Sequence, residues 1–371
     1  KEYSTEPTFS YKIDNPCRAD LSCIIKNKYG KVEMSTSFSS NHNFSKGFFY
    51  VADGTFNFYD TEKKTAYQDC YASLNAGKTL GIGNYDSANI IHSNGKFYLL
   101  VGTSTSNRDH FYIVDAKTLY YENSAVVGAN LSGLTILNEQ YGLVTGDGIR
   151  RIDLKSLNNV RIKNERLLCF YNSIIYNGKV LSNDTYKDES KVKYYDVNEL
   201  IAAKEGEAPA VTELDIIQKQ KINFVLAKDG NVYTLESADN GCNIVKIKND
   251  FTLEKVFANF QPAKGPYHSS PTIGMVASET ENIIYLVSTD GAIYKYILGD
   301  SDSLKAPFIA AESGVSITAP LQLNQQSGEL YVTYTEERKD ESKIVVYSKD
   351  GKVLHTVDCG ESVPSQILFN N

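Results

Sequence analysis

The sequence predicts an all-β chain built from repeated four-stranded sheets, on three observations. One hairpin phrase recurs seven times, most copies are flanked by further short apolar runs, and helical patterning is almost absent. Four short antiparallel strands per repeat is the composition of a propeller blade. A blade cannot bury both faces alone, so its neighbours must stack against it. The expectation is a seven-bladed β-propeller spanning residues 47–371, preceded by a partly β N-terminal extension over residues 1–46.

The founding phrase is GFFYVADGTFNFYD, Gly47 to Asp60. Phe48 to Val51 suit a pleated, buried strand. Asp53-Gly54 tolerates the positive φ angles of a tight hairpin, and Phe56, Phe58 and Asp60 then alternate along the returning strand. Later copies run over Gly95–Asp115, Tyr141–Asp153, Gly178–Asp196, Gly230–Asp250, Asn282–Leu298 and Gly328–Asp350. Their spacing of roughly 40 to 60 residues lies close to that of propeller blades. Apolar runs precede most hairpins, as at Ala88–Ile91, Leu134–Leu137, Ile222–Leu226, Ile273–Val276 and Leu321–Leu323. Others follow them, as at Ala125–Val127, Val160–Ile162, Val211–Ile216, Leu253–Phe257 and Lys352–Val357.

The first repeat lacks a strand before Gly47, and the run Val363–Phe369 has nothing after it. The C-terminal strand is therefore expected to join the first blade, closing the ring and removing an exposed edge. Val197–Glu205 has the spacing and composition of one short helix. Upstream, Tyr11, Ile13, Leu21, Ile24 and Ile25 suggest a strand pair with a turn at Tyr29-Gly30-Lys31, and Ser35–Ser45 reads as a loop.

Composition bounds the function. A formal net charge of −7 argues against nucleic acid, whose binders carry a basic face, and against a polybasic membrane attachment. No apolar run reaches the roughly 20 residues of a membrane helix. The chain opens at Lys1 rather than Met, which reads as loss of an N-terminal segment. A secretory signal ending at a lipidated cysteine is the expectation, placing the protein at the cell surface or in the periplasm. Of six cysteines, Cys17 and Cys23 are close enough to bridge a short hairpin. The competing reading makes most of the six small apolar strand residues.

The YVAD-type first strand, the strands ending in Asp and the closing phrase GELYVTYTEERKDESKIVVYSKDGKVLHTVDCGESVPSQILF resemble the YVTN-like seven-bladed propellers secreted by Bacteroidetes. Ile273-Gly274-Met275 followed by Asn282-Ile283-Ile284-Tyr285 fits the same pattern. Within that group the resemblance is to uncharacterised surface propellers that include vitamin B12-capturing outer-membrane lipoproteins. It covers residues 47 to 371. What it implies is an outer-surface protein that captures a nutrient, a corrinoid-like or other large small molecule, and hands it to a TonB-dependent receptor. The chain itself is expected to be a monomer that catalyses nothing. No tryptophan is present, and no ligand-contacting motif carries over residue by residue.

In an up-and-down blade, the loop between the second and third strands shares a ring face with the loop entering the next blade. The polar loops Ser104–Asp109, Asn183–Ser190 and Glu336–Ser342, with the entry loops Gly81–Ser87 and Gln261–Ser270, are expected to converge there. They offer Tyr85, Asp86, Arg108, Tyr186, Tyr267, His268 and Arg338 as candidate ligand contacts, a set suited to a planar or hydroxylated molecule. The competing reading is that long loops are simply solvated and variable. Asp60, Asp115, Asp153 and Asp196 could form a carboxylate ring or serve as calcium ligands, but Asp at a strand end ordinarily fixes a turn by accepting from amides two residues on.

Two other classes compete. A protein-interaction scaffold would use a propeller face. A propeller lyase or lactonase would use His268 with Tyr267, although the five scattered histidines form no HExxH pair and no GxSxG occurs. No cofactor and no metal site is expected.

Overall fold

The computed structural model describes residues 18–27, 30–39, 43–75, 80, 87–102, 108–128, 131–146, 148–163, 173–183, 190–207, 209–218, 223–263, 274–336 and 341–370. Seven antiparallel sheets form the blades of a propeller. Blade 1 combines Pro364–Leu368 with Gly47–Ala52, Thr55–Asp60 and Thr65–Tyr67. Blade 2 runs through Ser87–Ser93, Lys96–Gly102, Asp109–Asp115 and Tyr121–Gly128. Leu131–Ile136, Tyr141–Gly146, Gly148–Asp153 and Asn159–Lys163 make blade 3. Ile174–Tyr176, Lys179–Asn183, Ser190–Asp196 and Val211–Gln218 make blade 4, and Val225–Leu226, Val232–Ala238, Gly241–Ile247 and Leu253–Phe260 make blade 5.

Blade 6 departs from the four-strand expectation. It holds Met275–Ala277, Ile283–Val287 and Ile293–Ile297, with the outer position marked by an isolated bridge from Ile293 to Ile309. The stretch after Ile297 turns through Ser301–Leu304, a 3-10 helix capped by Asp300, before it can extend. In blade 7, Val315–Ile317 and Gln322–Leu323 both pair with Leu330–Glu336, followed by Glu341–Tyr347 and Val353–Gly360.

The ring closes as expected. Phe49, Tyr50, Val51 and Ala52 pair with Leu368, Ile367, Gln366 and Pro364. Asp53 and Gly54 both take positive φ, 46° and 76°, which is why Asp-Gly sits at this hairpin. Alternation along Gly47–Ala52 then divides the core. Phe49 and Val51 pack with Phe97 and Leu99 of blade 2, whereas Phe48 and Tyr50 pack with Tyr331 and Ile344 of blade 7. Apolar clusters fill each junction between adjacent blades in the same way. With both faces buried, central strands read as continuous apolar runs rather than as alternation.

The helix foreseen at 197–205 covers Val197–Ala202. A second short helix, Cys70–Leu74, was not legible in the sequence. Ahead of the ring, Arg18–Asn27 pairs with Gly30–Ser39 from Asn27↔Gly30 to Arg18↔Ser39. Strand therefore replaces the start of the loop expected from Ser35, because a ten-residue partner outweighs the low β-preference of serine. Tyr11, Ile13 and Cys17 lie outside the described residues, as does any Cys17–Cys23 pairing. Cys70 and Cys242 are buried and Cys359 is half-buried, all as free thiols.

Candidate ligand-binding rim

Antiparallel order sets the geometry. In each blade the second strand, and the fourth where the blade has one, run toward one rim of the ring, and the first and third start from it. Arg108 is exposed at that rim, directly before the third strand of blade 2. Tyr85, Asp86, Tyr186, Tyr267, His268 and Arg338 lie outside the described residues.

Beneath the strand ends runs a chain of polar side chains that sequence reasoning missed. Gln218, 1% exposed at the end of blade 4, accepts from Asn183 Nδ2 at 2.7 Å. It donates through Nε2 to Thr234 Oγ1 at 2.9 Å and to the Leu235 carbonyl at 3.0 Å, both in blade 5. Thr234 Oγ1 in turn donates to the Asn223 carbonyl at 3.1 Å. The Asn223 amide then binds Met275 of blade 6 twice, accepting from its N–H at 2.9 Å and donating to its carbonyl. Three blades are thus tied by one amide–hydroxyl relay. Gly274, at φ +66°, leaves room for it, since a Cβ there would meet Asn223 Oδ1 at 2.7 Å. Its signal in the sequence was a polar residue interrupting an apolar strand, as Thr234 does in VYTLES.

Similar contacts recur around the ring. Asp109 of blade 2 accepts from the Leu131 N–H of blade 3, and Thr135 of blade 3 meets Ser173 at the start of blade 4. In blade 7, Thr335 lies 3.0 Å from both Thr318 and Ser342, hydroxyl to hydroxyl. Such buried networks fix the walls of a site because each group is held by its neighbours.

The strand-ending acids are turn-builders. Asp60 accepts from Glu62 and Lys63 N–H, Asp115 from Thr118, Asp153 from Lys155 and Ser156, and Asp196 from Asn198 and Glu199. These bonds belong to the outer end of each hairpin, away from the candidate rim. Backbone donation from Ser156 holds the Asp153 carboxyl below the usual range. For Asp196 the first cause is Lys179, whose Nζ donates to it at 2.6 Å.

The described cysteines are poorly placed to act as nucleophiles. Burial pushes the Cys70 and Cys359 thiols up to about 12 and the Cys242 thiol to about 11, so the thiolate is scarce at neutral pH. Burial pushes His92 down, and its Nε2 has no partner among the described residues.

Comparison with solved structures returns the same architecture. The functionally unknown protein from Desulfotomaculum acetoxidans DSM 771 is 13% identical, with a TM-score of 0.57, over 88% of this chain and 99% of that one. The dihydro-heme d1 dehydrogenase NirN in complex with DHE is 12% identical, with a TM-score of 0.51, over 88% of this chain and 75% of that one. At such identities the likeness shows the fold alone. No curated protein matches the sequence significantly. The model of a family described as a domain of unknown function, DUF5074, matches residues 44–370, the whole ring without the preceding hairpin, and the chain belongs to that family.

Proposed function

We propose that this propeller is a binding protein that captures a polar small molecule at the rim where its second and fourth strands end, and that it performs no chemistry on it. The observation that carries the reading is the relay from Asn183 through Gln218 and Thr234 to Asn223. Asn183, Gln218 and Thr234 are buried and all four groups are bonded to one another, so the relay holds the strand ends of blades 4, 5 and 6 as a rigid, neutral support beneath the rim.

The resemblance to corrinoid-capturing surface propellers supplies the ligand class to test first, a large planar or hydroxylated molecule. It also supplies a place for the protein, exported to the cell surface as a lipoprotein, and a partner, a TonB-dependent outer-membrane receptor that takes over the captured molecule. Calorimetric titration of the full chain against corrinoids, siderophores and glycans tests capture; heat from one class supports it, and silence across the panel sinks it. Turnover of lactone or polyuronate substrates would replace the binding reading with an enzymatic one.

A further inference from the structure

The hairpin ahead of the ring is built like half of a β-sandwich. Its two ten-residue strands pair without interruption from Asn27↔Gly30 to Arg18↔Ser39. Residues directly opposite share a face, and the faces alternate along each strand. One set of register positions therefore holds all five charged residues of the two strands, Arg18, Asp20, Lys26, Lys31 and Glu33. The other set holds Leu21, Cys23, Ile25, Val32, Met34 and Phe38, and no charge. Ile24 is the one large apolar residue on the charged side.

The ring leaves the apolar side open. Gly30 to Ser35 are all exposed, so neither face of this strand is covered at that end. Val32 and Met34 are 57% and 58% exposed, with Val353 the most exposed large apolar residues among those described. A two-stranded hairpin is marginal in water by itself and gains stability when an apolar face is packed against something. The match to the family begins at residue 44, which leaves the hairpin outside the shared ring.

Charge decides what covers the face. An element lying on an anionic membrane needs a surplus of Lys and Arg around its apolar side. Here two of the five charges are acids, Lys31 Nζ is held by Glu33 Oε2 at 2.9 Å, and the whole chain carries −7. A charged protein partner would need charge on the apolar face itself, which has none. An uncharged apolar face is complementary to another of the same kind, and a second copy of this chain supplies one. Two such faces, each roughly 34 Å by 10 Å, bring together a flat area of roughly 700 Å². That is below the size of stable interfaces, so the association is weak.

We infer that the hairpin is a self-association element, in which the apolar faces of two copies stack about 10 Å apart as a four-stranded sandwich. A two-fold axis relates the copies, and the charged faces point outward. The inference sets a weak, concentration-dependent dimer against the monomer expected from the sequence. It is independent of capture at the rim.

Sedimentation velocity of the full chain from roughly 1 to 500 µM, the range of weak interfaces, tests it. The expected result is a weight-average mass that climbs from one chain toward two. Val32→Glu and Met34→Glu place a charge in the stacked face and should each weaken association by roughly tenfold or more. Ser35→Glu, on the charged side of the same strand, should leave it unchanged. All three residues are exposed in the single chain, so Tm is expected to match wild type and a lost dimer is not a lost fold. A mass of one chain at every concentration overturns the inference. So does a dimer kept by both apolar-face variants, or one weakened as much by Ser35→Glu. Binding of the monomer to vesicles of phosphatidylcholine with phosphatidylglycerol, abolished by Met34→Glu, would give the face to lipid and overturn it too.

Discussion

Phe369 meets Tyr331 edge-on, with ring centroids 4.8 Å apart and planes at 66°, so the tail of the chain is fixed to blade 7 while the strand before it pairs with blade 1. Gln366 Nε2 reaches the Ile90 carbonyl at 2.7 Å, and Asn370 Nδ2 reaches the Ala116 carbonyl at 2.8 Å. The last seven described residues therefore connect three blades. Phe369→Ala removes one ring from this junction and should cost about 2–4 kcal/mol, read as a lower urea midpoint at constant m-value. Truncation before Pro364 is expected to do more, exposing the edge of Gly47–Ala52 and converting a single cooperative transition into early unfolding with aggregation. Unchanged urea curves for both variants would show that closure depends on something other than the tail.

Legibility of the fold followed from burial on both sheet faces. Phe48 to Val51 could be read as a strand because each residue has a blade to pack against, two facing one way and two the other. Asp53-Gly54 and the Asp-terminated hairpins were legible because each turn needs a particular backbone region or acceptor. The rim was another matter. Gln218 and Asn223 stand in polar, turn-like sequence and acquire meaning only when a neighbouring blade brings Thr234 and Met275 against them. Contacts between residues 16 and 52 apart in the chain leave no local periodicity to detect.

Gln218 carries the heaviest polar load in the relay. Its replacement by leucine keeps the volume but leaves Asn183 Nδ2 and the Leu235 carbonyl without this partner inside the protein. Loss of these bonds should cost about 2–4 kcal/mol, measured as a fall in Tm. Thr234→Val, which removes one hydroxyl from the same chain, should cost less, about 1–2 kcal/mol. The double variant should lose less than the sum, because both act on one network. Strict additivity would mean that the two sites are energetically separate.

Acid should weaken the hairpin turns. Asp153 has its carboxyl pKa held below the ordinary value of 3.8. The folded state thus binds fewer protons than the unfolded chain between those two values. Its contribution is complete above about pH 4 and disappears as pH falls through the folded value. Asp153→Asn keeps an acceptor for Lys155 and Ser156 N–H but cannot titrate, so its Tm should fall less steeply than wild type between pH 4 and pH 2. Parallel Tm–pH curves would place the acid sensitivity elsewhere.

A second pH effect is expected nearer neutrality, with burial as its cause. His92 lies on the innermost strand of blade 2, its ring 5.1 Å from that of Phe97, and desolvation lowers its pKa from the ordinary 6.5. Lowering a histidine in the folded state favours the neutral form, so unfolding takes up a proton as pH drops below 6.5. Stability from this residue is complete above that value and is lost as pH falls toward the folded pKa. Replacing the ring by leucine removes the titration and, with it, the buried Nε2 that has no partner among the described residues. His92→Leu should therefore show a flatter Tm profile than wild type between pH 7 and pH 5, with the two curves closest at pH 7. If the curves instead stay parallel across that window, the imidazole has found a proton acceptor that keeps its titration the same in the folded and unfolded chains.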